Sequence, residues 1–204
     1  MNKRTICLVL TLVCALTMLA QHYNIVKNIA YTMKTDTYSA QRLKLDIYYQ
    51  EQATDLPVVV WFHGGGLTSG EKDFPYKLKE KNCVLVAVNY RLLPNVTIDQ
   101  TIDDAAEAVA WVMNHITEYG GSTKKMIVSG HSAGGYLTMM LALNKQWLDR
   151  YGKDANQIAA YVPFSGQAIS HFSYRKMKGI GELKPTVDEF APLYWVRKDC
   201  PPLV

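Results

Sequence analysis

Ser132 stands in Gly130-His131-Ser132-Ala133-Gly134, with a glycine two residues to either side. A serine hydroxyl attacks a carbonyl only when geometry and a nearby base activate it. The surrounding residues supply the geometry. The apolar run Met126-Ile127-Val128 precedes the motif, and Tyr136-Leu137-Thr138-Met139-Met140-Leu141-Ala142-Leu143 follows it in helix-compatible order. Strand, tight turn and helix are the setting of a nucleophile elbow. Gly130 and Gly134 lack the Cβ atoms that would clash where the strand folds back on the helix. Ser132 is then pushed above the sheet, at the positive end of the following helix.

A second motif lies upstream. Pro57-Val58-Val59-Val60-Trp61-Phe62 is a continuous apolar run, as expected of a strand buried on both faces. It runs into His63-Gly64-Gly65-Gly66. Successive glycines let the backbone approach a ligand closely and turn N–H groups toward it. Such donors suit the negative oxygen of a tetrahedral intermediate in acyl transfer. His63 is expected to hold this loop by hydrogen bonds, and His131 to pack at the elbow. Neither is expected to be the base.

Four blocks carry a family resemblance: His63 to Gly66, Asn89-Tyr90-Arg91-Leu92-Leu93-Pro94, Asp103 to Trp111, and Gly130 to Gly135. In order and spacing they resemble the α/β-hydrolase superfamily, in the carboxylesterase/lipase branch related to hormone-sensitive lipase and feruloyl-esterase-like enzymes. The likeness spans residues 40–204. It implies that Ser132 is the nucleophile and that the amides of Gly65, Gly66 and Ala133 form the oxyanion hole. Gly64, His63, Gly130, His131 and Gly134 would support these motifs. It further implies a small-molecule or carbohydrate-linked ester as substrate, with no cofactor and no metal.

The family order is serine, then acid, then histidine. After Ser132 the sequence has one histidine, His171, in Ala168-Ile169-Ser170-His171-Phe172. It reads as a loop histidine beside the catalytic edge. Asp154, Asp188, Glu189 and Asp199 qualify as acids by residue type alone and read as solvated loop charges. Pro201-Pro202-Leu203-Val204 looks like the opening of the strand that should lead to the acid. The expectation is therefore a hydrolase domain over 21–204 that is incomplete at its C-terminal side. Two alternatives stay open: a non-catalytic hydrolase-like binding protein, and a serine peptidase of prolyl-oligopeptidase type. Amide cleavage by the same groups is open too.

The N-terminus reads as targeting rather than fold. Lys3 and Arg4 precede the uncharged apolar stretch Ile6 to Leu19, and Ala20 offers a small residue for cleavage before Gln21. That is the layout of a secretory signal over 1–20, and it implies a secreted or periplasmic protein. The apolar run is short of the ~20 residues of a spanning helix, so no stable membrane span is expected. A net charge of +4 is modest and scattered, and no nucleic-acid partner is expected. Four cysteines, two of them within the signal, do not make a disulfide framework.

The remaining elements must position the two motifs. Leu43 to Tyr49 alternates apolar and polar residues and is predicted as an edge strand. Further strands are predicted at 57–62, 83–89, 125–129 and 158–164. A helix capped by Thr97 or Asp99 should run to about His115, burying Ile102, Ala105, Ala106, Val109 and Val112. Another is predicted at 134–146. Such alternation predicts an α/β fold with a mostly parallel sheet and helices on both faces, lacking its last strands. Tyr174 to Pro192 is predicted as a lid or cap insertion with Gly179 and Gly181 as hinges.

Overall fold

The computed structural model describes residues 22–181 and 183–204. The proposed signal over 1–20 lies outside the described residues. Six strands form one sheet: β1 (Tyr23–Ala30), β2 (Lys44–Gln50), β3 (Leu56–Phe62), β4 (Val84–Val88), β5 (Gly121–His131) and β6 (Ala160–Phe164), in the order β1-β2-β4-β3-β5-β6. The first two pairings, β1 with β2 and β2 with β4, are antiparallel. β4, β3, β5 and β6 run parallel. Among the described residues five α-helices accompany them: α1 (Thr37–Arg42), α2 (Ile98–His115), α3 (Ala133–Leu143), α4 (Gln146–Asp149) and α5 (Phe172–Met177).

The central strands are apolar because both of their faces are covered. Along β3, Val58, Val60 and Phe62 are fully buried in the main core with the apolar side of α2 and α3. Val59 belongs instead to a smaller cluster with Tyr48, Cys83 and Leu85, against which Phe74 and Leu78 pack. α2 starts where its sequence predicts. Thr97 is its N-cap, and the Gln100 side chain accepts from the Thr97 N–H at 3.0 Å. Ile102, Ala105, Ala106, Val109 and Val112 are all fully buried.

The expected edge strand is not at the edge. β2 lies between β1 and β4. Its polar residue Asp46 is buried, and it accepts from the Asn28 N–H at 2.7 Å and pairs with Lys72 at 2.9 Å. An internal ion pair thus satisfies a carboxylate that sequence alternation assigns to water. Asn28 sits at the register irregularity of β1, with φ +59°. Such a bulge turns its N–H toward the neighbouring strand.

At the other side of the sheet, Leu203 bridges Tyr161 in parallel fashion. The Tyr161 N–H donates to Pro202 O at 2.8 Å and the Val204 N–H to Tyr161 O at 3.0 Å. Pro202 to Val204 therefore lie alongside β6 in parallel register. The segment predicted as a lid begins inside α5. Its ends are tied to the domain: Tyr174 meets Phe190 edge-on at 5.1 Å, and the Tyr136 hydroxyl of α3 donates to Phe190 O at 2.7 Å.

Candidate active site

Ser132 occupies the single residue between β5 and α3, with φ +56° and ψ −111°. A non-glycine residue at positive φ is strained. The strain is held from both sides. The Ser132 N–H donates to Phe164 O at 2.8 Å, and Ser132 O accepts from the Tyr136 N–H at 3.0 Å. Close approach explains the flanking glycines. A Cβ on Gly134 would stand 2.0 Å from Phe62 O, and one on Gly130 would stand 2.6 Å from the carbonyl carbon of Gly134. β3 and α3 touch backbone to backbone here, and no other residue fits. Ala133 opens α3. Its N–H is one of those left without an intrahelical acceptor at a helix start.

The glycine loop lies directly across from the elbow. A Cβ on Gly64 would come within 3.5 Å of the Ser132 Cβ. Gly65 and Gly66 have φ of +113° and +65°, a backbone that favours glycine. Among the described residues neither N–H donates a hydrogen bond. Their carbonyl partners are occupied instead. In a trans peptide the C=O and the next N–H point opposite ways, so holding the carbonyl aims the amide. His63 Nδ1 is 2.6 Å from Gly64 O, which aims the Gly65 N–H. The Thr68 and Ser69 N–H groups donate to Gly65 O at 3.1 and 3.0 Å, which aims the Gly66 N–H. Ser173 Oγ donates to Gly66 O and closes the series.

His63 has the structural part expected of it. The ring stacks on Tyr90 with centroids 4.4 Å apart, and the Tyr90 hydroxyl donates to His63 O at 2.8 Å. A carbonyl oxygen can only accept, so Nδ1 carries the proton. Nε2 is buried with no hydrogen-bond partner among the described residues. Burial pushes the His63 pKa below its ordinary value, which keeps the ring neutral.

His131 does not pack inside the elbow. It is exposed, and its Nδ1 would lie 3.3 Å from a Cβ on Gly64. The cause is the period of two: Gly130 must face α3, so the next side chain of β5 faces outward. His171 is buried at the N-cap of α5, and its Nδ1 accepts from the Ser173 N–H at 3.3 Å. It meets Tyr136 edge-on at 5.2 Å. Burial first, and Arg175 second, push its pKa down to about 4. An acceptor at Nδ1 and a depressed pKa describe a neutral capping ring. Ser132 Oγ makes no hydrogen bond to any of these rings.

The acid candidates are engaged elsewhere. Asp154 caps the turn Ala155–Gln157 and pairs with Lys145 at 2.9 Å. Asp188 accepts from Ser170 Oγ at 2.7 Å and from the Phe190 N–H at 3.0 Å, so it staples the loop rather than facing water. Asp199 pairs with Arg197 at 3.2 Å, and Glu189 is exposed. Among the described residues no helix is long and apolar enough to cross a membrane, and no cluster of three His, Cys, Asp or Glu could hold a metal. Phe172 and Ser173 against the glycine loop are the site residues that sequence reasoning missed. They lie 107 residues from Gly66 by the Ser173 bond, and no local motif announces them.

Comparison with known proteins agrees with this architecture. A protein of Oryza sativa subsp. japonica described as a probable isoprenylcysteine alpha-carbonyl methylesterase is 28% identical over 176 residues, covering 76% of this chain and 41% of its own length. A probable carboxylic ester hydrolase of Mycobacterium tuberculosis is 35% identical over 118 residues, covering 54% of this chain and 27% of its own length. The chain thus spans less than half the length of these curated relatives. Among solved structures, a hyperthermophilic esterase from the archaeon Pyrobaculum calidifontis superposes with a TM-score of 0.64 at 20% identity, covering 100% of this chain and 71% of that one. The fold is that of the α/β-hydrolases, in the esterase/lipase branch. The BD-FAE family model matches residues 45–174, more than half of the sequence, and the chain belongs to the BD-FAE family.

Proposed function

We propose that the protein is a serine carboxylic-ester hydrolase working through an acyl-enzyme on Ser132. One observation carries this reading: a strained serine faces a loop whose two unpaired amides, Gly65 and Gly66, are aimed by their neighbouring carbonyls. Ser132 Oγ attacks the ester carbonyl carbon. The electron pair moves to the carbonyl oxygen, which takes hydrogen bonds from Gly65, Gly66 and Ala133. Collapse expels the alcohol, and water then releases the acid.

Activation also needs a base within hydrogen-bond reach of Ser132. His63, His131 and His171 do not fill that place. The substrate is a small-molecule or carbohydrate-linked ester, supported by the likeness to feruloyl-esterase-like enzymes. The relatives' names favour ester over peptide chemistry. Export through a signal over 1–20 is supported by Lys3, Arg4 and the apolar stretch after them. Exported protein should then begin near Gln21.

A fluorophosphonate probe and a panel of p-nitrophenyl esters test the reading. The probe should label Ser132, and S132A should lose labelling and at least ~10³-fold in turnover. Turnover that survives S132A would refute it.

A further inference from the structure

Gly66 is held from two sides: bonds within the loop to Gly65 O aim its N–H, and its own carbonyl is tied outside the loop. It has no side chain, its N–H is unpaired among the described residues, and its φ of +65° is one of several that a glycine adopts freely. What fixes its carbonyl comes from a distant element. Ser173 Oγ donates to Gly66 O, and the edge of the Phe172 ring would lie 3.1 Å from a Cβ on Gly66. Both residues are in the first turn of α5.

That turn is itself anchored. The Phe172 N–H donates to Gln167 Oε1 at 2.9 Å, and the Ser173 N–H to His171 Nδ1 at 3.3 Å. Ser173 and His171 are buried. The His171 ring meets Tyr136 edge-on at 5.2 Å, one turn into the helix that begins beside Ser132. One connected set of contacts therefore runs from the helix behind the serine, through α5, to the carbonyl of Gly66. It joins the two halves of the site.

We propose that Ser173 is a positioning residue that anchors the glycine loop by the Gly66 carbonyl, and so holds the loop's amide donors in place relative to Ser132. It touches no reacting atom. This rests on the hydrolase reading and on Gly66 as an oxyanion donor. Without the hydroxyl, the Gly66–Leu67 peptide turns freely and the loop loses its tie to α5, so the Gly65 and Gly66 amides, still aimed within the loop by the bonds to Gly64 O and Gly65 O, are held less firmly relative to Ser132. The loss should appear in the chemical step, not in ground-state binding.

The test compares wild type, S173A and S173T on a p-nitrophenyl ester, in the full-length protein. kcat is normalised to serine titrated with the fluorophosphonate probe, and thermal unfolding is followed in parallel. Deleting a donor outright costs ~10²–10³ in kcat, so a donor left in place but loosely aimed should cost about tenfold. S173A should therefore lose about tenfold in kcat per titrated serine with KM within about twofold, and S173T, which keeps the donor, should recover most of it. An S173A protein with wild-type kcat per titrated serine overturns the proposal, even if it unfolds earlier. So does a defect confined to KM, or one that S173T fails to relieve in a folded protein. Wild type that neither labels nor turns over overturns the hydrolase reading and the positioning role together, whereas an active wild type matched by S173A overturns the positioning role alone.

Discussion

Glycine at 134 is a matter of contact, not of φ. A Cβ there would sit 2.0 Å from the Phe62 carbonyl oxygen, a backbone atom that cannot swing aside. Either β3 and α3 separate, or the elbow opens and Ser132 leaves its place beside the glycine loop. G134A should cost ~3 kcal/mol of stability by overpacking, and ester turnover should fall with it. Gly181 provides the contrast. A Cβ there meets nothing within 4 Å, and its φ is not in the left-handed range. G181A should stay within ~0.5 kcal/mol of wild type. Urea unfolding of the two variants checks both numbers. Equal stabilities would mean that the elbow is not closely packed. The same scale shows what the sequence made legible. Glycine spacing around Ser132 announces the elbow because only glycine fits there. The Ser173 bond to Gly66 is silent in sequence, because one hydroxyl on a loop helix has no pattern to recognise.

Elements are located by the ties between them. The start of α2 is fastened to the chain after β4 by Arg91 and Asp104, both buried. Arg91 Nε and Nη2 donate to the two Asp104 oxygens at 2.8 and 2.7 Å, and the Arg91 N–H donates to the same carboxylate at 3.1 Å. Lys34 lies 3.8 Å from it and also pairs with Glu107. Burial pushes the Asp104 pKa up, and the guanidinium pulls against it. Removing one partner strands the other charge in the interior, which costs about 3–5 kcal/mol. D104L should show that loss in a urea titration, and R91M/D104L should recover a good part of it. A double variant no better than D104L would show that the pair does more than neutralise a charge. These residues were visible in sequence only as two of the blocks shared with the α/β-hydrolases. Their pairing requires the fold. Likewise Asp46 made β2 look half solvated, when Asn28 and Lys72 in fact meet it inside. β1, bulged at Asn28, gave no clean alternation by which to foresee it.

At the scale of the whole molecule, two neutral histidines are folded into the interior around the site. Burial lowers the pKa of both His63 and His171, the latter from 6.5 to about 4. Between those values the unfolded chain binds a proton that the folded chain refuses. Stability then rises with pH, so it is present above pH 6.5 and is lost as the pH falls toward 4. For His171 alone the loss at pH 5 is about 2 kcal/mol. For a chain of this size that lowers Tm by about 4–8 °C. The carboxylates whose pKa is lowered below the ordinary 3.8, at Asp36, Asp55, Asp154 and Asp199, act only at the acid end of this window. Asp104, raised above 3.8 by burial, acts in the opposite sense, and its contribution is lost as the pH rises. From pH 6.5 to 5 the histidines lower stability as the pH falls. H171N keeps an acceptor at the N-cap of α5 while removing the titration. Its Tm should fall less than that of wild type between pH 7 and pH 5, by about the His171 share. Parallel curves for the two proteins would mean that His171 takes up its proton without unfolding, and that the first turn of α5 opens before the domain does.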